Sequence, residues 1–137
     1  MTKFDWELFS NVGDDLSQIN DEAHIRSAIS RYYYAVFGSA RYYLAEYMYE
    51  ESFLHVSQAH SKVCTRLKSS HDDNESALGE LLENLMEKRV DADYLINKDD
   101  EVLNEEYFIK ELPMVQSLTR EALLHLSALK NNPPRQL

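Results

Sequence analysis

"DEAHIRSAISRYYYAVFGSARYYLAEYMYE", residues 21–50, decides the fold class. Asp21 and Glu22 set acidic side chains at a helix start, where they complement free N–H groups and the positive end of the helix dipole. At about 100° per residue, Ile29, Tyr33, Val36, Phe37, Ala40, Leu44 and Tyr47 fall on one broad face. The opposite face carries Arg31, Tyr34, Ala35, Gly38, Tyr42, Ala45 and Tyr49, so it is aromatic and small rather than charged. A helix dressed this way on both sides packs on both sides. Ala35 and Gly38 would let a neighbour approach closely, and a packed core or a dimer seam would each use the tyrosines.

Outward from this helix the same period recurs. Phe4, Trp6, Leu8, Phe9, Val12 and Leu16 mark a short first helix over 4–17, with Gly13 as a break point. Val56, Ala59, His60, Val63 and Leu67 share a stripe over 55–69. "SSHDDNES", residues 69–76, reads as a polar loop with Asn74 as the N-cap of the next helix, 75–94, built on Leu78, Leu81, Leu82 and Leu85. "NKDD", residues 97–100, reads as a turn. A final helical region over 102–130 carries Pro113, which should kink it or start its second half. No strand-type alternation is seen. The expectation is an all-α, up-and-down bundle of four main helices plus a short N-terminal helix. It forms one domain over 1–130, with a disordered tail over 131–137.

The composition is that of a globular chain, with 44% apolar and 28% charged residues among 137. The net charge of −10 disfavours a surface built for a phosphate backbone, although a basic pocket inside a negative envelope stays open. Cys64 is the single cysteine, which excludes an internal disulfide and fits a reducing cytoplasm. "MTKFDWELFS" has no signal-peptide core, and no apolar run is long enough for a membrane span.

Helical bundles often hold di-metal sites through Glu-x-x-His pairs. None occurs here: Glu51 and His55, and Glu121 and His125, stand four apart. Neither a metal nor a cofactor is expected, and there is no Gly-rich phosphate loop or Gly-x-Ser-x-Gly elbow. The polar feature that stands out is "EKRVDADYLIN", residues 87–97. On the helical wheel Arg89 falls between Leu78 and Asp93, inside the leucine stripe. Asp93 is four residues on, within ion-pair reach. His60 likewise occupies an apolar stripe. Two readings follow. Arg89 snorkels at the bundle end and pairs with Asp93, or Arg89, Asp93, Tyr94 and His60 form an inward polar site. A buried arginine needs such partners.

Three segments together resemble a known family. "RSAISRYYYAVFGSARYYL", residues 26–44, is similar to the signature helix of HEPN domains, Ser-Arg-x-Tyr-Tyr-Ala-x-Phe, matched by Ser30, Arg31, Tyr33, Tyr34, Ala35 and Phe37. "AHSKV", residues 59–63, resembles the His-Ser segment of the next helix, and "RVDADY", residues 89–94, resembles the Arg-x-x-Ala-Asp-Tyr element of the one after. The resemblance covers about half the chain. It implies a helical bundle, commonly dimeric. Its settings are toxin–antitoxin or phage-defence systems, with ribonuclease activity or a co-encoded nucleotidyltransferase, toxin or antitoxin as partner.

The family's catalytic signature is an arginine followed by a histidine after four to six residues. Counting on from Arg89 reaches Tyr94, Leu95 and Ile96, with no histidine. The expectation is therefore a dimeric module binding nucleotide, RNA or protein, with a degenerate catalytic motif and Arg31, Tyr33, Tyr34 and Tyr94 as binding residues. The alternative is a metal-independent endoribonuclease using Arg89 with His60, or Arg66 with His71, which have four residues between them. Asp93 would be a poor substitute base because an ordinary aspartate has a pKa near 4.

Overall fold

A computed structural model of the chain describes residues 3–134. It is an all-α bundle of five helices: α1 (Leu8–Ser17), α2 (Glu22–Glu46), α3 (Ala59–Lys68), α4 (Asp73–Tyr94) and α5 (Glu105–Asn131). Of the expected tail, Asn131 ends α5, Asn132 to Pro134 lie beyond the helix, and 135–137 lie outside the described residues.

The helices start where side chains satisfy free N–H groups. Asp21 accepts from the His24 N–H at 2.9 Å, and Asn104 from the Tyr107 N–H at 3.0 Å. The cap of α4 is Asp72, which accepts from the Glu75 N–H at 2.9 Å. Asn74, expected in that role, lies inside the helix and holds the His125 ring at 2.8 Å.

α2 is the centre of the molecule, with α1, α4 and α5 packed around it. Its buried residues run from Ile25 to Ala45 on nearly every side, as the two packed faces predict. The fully buried tyrosines satisfy their hydroxyls internally. Tyr32 donates to Asp14 at 2.6 Å and accepts from Gln116 at 3.1 Å, while Tyr43 donates to Glu75 at 2.6 Å. The small, aromatic face is covered by the same chain at Gly38, where the Trp6 ring lies so close that a Cβ would stand 2.4 Å from it.

The cross-links give the directions. Ser30 meets Asp93 and Tyr43 meets Glu75, so α2 and α4 are antiparallel. Lys88 meets Glu111 and Asn74 meets His125, so α4 and α5 are antiparallel too. α3 departs from strict up-and-down alternation. It starts beside Tyr33 and Phe37 and ends near Glu75 at the level of Tyr43, running broadly along α2. The reason lies in the α2–α3 connection. Tyr49 takes a left-handed φ of 58° and ends the expected 21–50 helix early. A 3₁₀ turn at Glu51–Leu54 then carries the chain back along α2. Arg41 clamps it through Nε to the Phe53 carbonyl at 2.7 Å and through a guanidinium N–H to the Leu54 carbonyl at 2.6 Å. α3 therefore begins at Ala59 rather than at 55.

Three smaller expectations change. α1 begins at Leu8, not 4, and continues through Gly13, which packs against Tyr32. The turn at "NKDD" closes a minimal hairpin, β1 (Asn97–Lys98) with β2 (Glu101–Val102), across Asp99 and Asp100, both at positive φ. Two paired residues per strand are too few to show alternation in sequence. α5 runs unbroken through Pro113, so the proline removes one backbone bond without starting a second helix.

Candidate functional site

The site is built on one stripe of α2. Arg31, Tyr34, Gly38, Arg41 and Tyr42 recur at three- and four-residue spacing and line one side of a cavity of about 350 Å³. Phe37 forms its floor, His60 enters from the start of α3, and Trp6 and Phe9 from the N-terminal segment form the opposite wall. Trp6 packs edge-on to Phe9, with centroids 5.5 Å apart, and lies 6.0 Å from Tyr42.

Behind the floor lies the polar cluster expected from α4. The Arg89 side chain is 12% exposed, so it is inward-facing as the wheel places it. It donates to the Tyr34 hydroxyl at 3.0 Å, and its guanidinium lies 5.3 to 5.7 Å from the rings of Tyr34, Tyr33 and Tyr94. Its Nε stands 3.7 Å from Asp93, an ion pair too long for a hydrogen bond, and this buried N–H has no acceptor. Asp93 instead accepts from the Ser30 hydroxyl at 3.2 Å. Both readings of Arg89 thus hold in part: it pairs with Asp93, and it faces a polar site rather than solvent.

His60 stacks on Phe37 with centroids 4.2 Å apart, and its Nδ1 is hydrogen-bonded to the Tyr33 hydroxyl. Burial pushes its pKa below the usual histidine value, and the Arg89 and Arg41 charges push the same way. Burial likewise raises the pKa of the Tyr33 phenol, so it stays protonated.

The electrostatics run against the rest of the molecule. Arg31 lies 5.0 Å from the Phe9 ring and 5.2 Å from Tyr34, and among the described residues it has no carboxylate partner. Among the described residues Arg41 is hydrogen-bonded only to backbone carbonyls. With Arg89 close behind, three arginines gather here, and among the described residues only Arg89 pairs with a carboxylate, Asp93 at 3.7 Å, within a chain of net charge −10. Field lines in such a partly enclosed, aromatic-walled cleft favour an anion.

The expected residues Arg31, Tyr33, Tyr34, His60, Arg89 and Asp93 come together here. Tyr94 touches the cluster only through Arg89 and is 70% exposed. Arg66 and His71 do not meet. Arg66 is held by Glu50 at 2.8 Å and Glu75 at 3.0 Å, and His71 stands exposed in the loop. Arg26, on the same helix, does not line the cavity and instead binds the Ala92, Leu95 and Leu103 carbonyls. Sequence reasoning missed Arg41, Phe37 and the Trp6–Phe9 wall as site residues. The periodic stripe through Arg31, Tyr34, Gly38 and Arg41 carried a signal for Arg41. Nothing local marks Trp6.

No helix among the described residues is long and apolar enough to cross a membrane. No family model matches the sequence, and no match was found among curated proteins or solved structures.

Proposed function

We propose that this chain is a HEPN-like helical module, of the kind used in toxin–antitoxin or phage-defence systems, that binds nucleotide or single-stranded RNA in the Arg31–Arg41 cavity. One observation carries the reading: two arginines without carboxylate partners, set on aromatic rings, inside an acidic protein. Guanidinium groups recognise phosphate oxygens, and aromatic faces stack on bases without regard to their identity. Arg31 and Arg41 are ten residues apart on one helix, about 15 Å along its axis, a span suited to more than one phosphate. The signature residues of the family resemblance, Ser30, Arg31, Tyr34, Arg89 and Asp93, lie around this same place.

Trp6 is the only tryptophan and lines the cavity, so it reports occupancy directly. Titration with AMP and with a short oligoadenylate should quench its fluorescence, and Arg31→Ala should weaken binding about tenfold, as loss of a charged hydrogen bond does. An unchanged affinity in Arg31→Ala would sink the proposal.

A second reading, a metal-independent endoribonuclease, is favoured by the convergence of Arg89 and His60 on the Tyr33 and Tyr34 rings. Cleavage of total RNA in chelator, abolished by both Arg89→Ala and His60→Ala, would establish it in place of pure binding.

A further inference from the structure

The Tyr33–His60 contact decides which nitrogen of His60 carries a proton. Tyr33 is completely buried, and among the described residues His60 Nδ1 is the only hydrogen-bond partner of its hydroxyl. A phenol has one proton to give. If Nδ1 carried the ring proton and donated to the phenol oxygen, the Tyr33 proton would have no acceptor anywhere around it, and a buried unsatisfied donor is costly. The Tyr33 hydroxyl therefore donates, Nδ1 accepts, and neutral His60 holds its proton on Nε2. That nitrogen has no protein partner among the described residues and is not among the buried unsatisfied atoms, and His60 lines the cavity. The ring orientation is held as well, by stacking on the Phe37 ring at 4.2 Å beside the near-parallel Tyr33 ring at 5.6 Å.

We infer that Tyr33 is a positioning residue that makes His60 present a neutral Nε2–H donor to the cavity, where it binds a phosphate oxygen of the ligand rather than acting as a base. The directions of titration agree. Burial keeps the Tyr33 phenol protonated, and burial together with Arg89 and Arg41 keeps the imidazole neutral near pH 7. A neutral imidazole with its proton on Nε2 has no lone pair to offer there, so it cannot take a proton from a hydroxyl in the cavity without first giving up the bond to Tyr33.

The ligand half of this inference rests on the nucleotide-binding reading above, while the tautomer does not. Two measurements keep them apart. In ¹⁵N-labelled, ligand-free protein, long-range proton–nitrogen correlation at pH 7.5 should show His60 protonated on Nε2 alone. A proton on Nδ1 overturns the assignment. In AMP titrations followed by Trp6 fluorescence, His60→Ala should weaken binding about tenfold, whereas His60→Gln, whose amide supplies an N–H but no base, should stay within about threefold of the parent. His60→Gln as weak as His60→Ala overturns the donor role. Tyr33→Phe should release the tautomer preference, and if it does not fold, the glutamine-against-alanine comparison decides alone. A parent protein that binds no AMP removes the cavity reading and the ligand half with it, and the ring-proton result still decides what Tyr33 does.

Discussion

Arg66 reaches the carboxylate of Glu75 at 3.0 Å, and Glu75 is almost wholly buried where α2, α3 and α4 meet. Tyr43 and Ser70 donate to the same carboxylate at 2.6 and 2.7 Å, so both of its oxygens are met from protein. Removing one partner of such a set leaves a buried charge uncompensated. Arg66→Ala should therefore lower stability by about 3 kcal/mol, read as a fall in the denaturant midpoint at unchanged slope. A loss below about 0.5 kcal/mol would mean that water replaces the arginine freely.

The same carboxylate makes stability depend on acid. Burial pushes the Glu75 pKa up, but the bonds from Tyr43, Ser70 and Arg66 outweigh it and hold the value below that of an ordinary glutamate. The folded pKa is thus lower than the unfolded one. Its contribution is complete above the unfolded value, about 4.3, and is lost as pH falls through the folded value. Thermal melts between pH 6 and pH 3 should show a drop over that window, shallower in Glu75→Gln.

Gly38→Ala tests the N-terminal wall. The new methyl would stand 2.4 to 2.6 Å from the Trp6 ring, and the backbone of α2 cannot retreat because it is buried on its other sides. Trp6 must leave. The expected result is a red-shifted Trp6 emission with a stability loss of about 1–3 kcal/mol. An unshifted emission would show that Trp6 is not seated on Gly38.

Arg89→Met should do little to stability, within about 1 kcal/mol in either direction, because the Asp93 pair is long and the buried Nε is unsatisfied. It should nevertheless weaken AMP binding. Equal loss of stability and binding would make Arg89 an ordinary structural residue.

His60 should titrate below the usual histidine value of about 6.5, because burial, Arg89 and Arg41 all disfavour its cation. As pH falls below 6.5 the unfolded chain takes up the proton first, so stability declines until the lower folded value is passed. Proton NMR should place the midpoint below about 6.5, and Arg89→Met should raise it.

Much of the helical plan is legible in the chain because helix period is a local signal. The leucines of α4 and the two-sided α2 announce their burial, and Arg89 betrays itself by sitting among leucines. What is not legible depends on distant partners. Asp72 and Asn74 are equally good caps by type, and only the loop geometry chooses Asp72. Tyr49 and Gln58 adopt left-handed backbone that no residue preference would assign to them, so the return of the chain along α2 is invisible beforehand. Trp6 looks like one more apolar residue of a leader helix until Gly38 receives it. The tyrosines left a packed core and a dimer seam both open, and the internal hydrogen bonds of Tyr32, Tyr33 and Tyr43 are not revealed by residue type alone.

The central position of α2 has a kinetic consequence. A helix enclosed by α1, α4 and α5 exchanges its amide hydrogens only when the whole bundle opens. The arginine stripe is carried on that enclosed element, so on the binding proposal its side chains are already in place before a ligand arrives and association incurs little ordering entropy. Entry and exit then depend on the segment bearing Trp6, whose ties near the N-terminus are exposed pairs such as Lys3 with Glu46. On the binding proposal, ligand exchange turns on the Trp6 contact with Gly38, while the arginines stay on the most enclosed helix of the bundle.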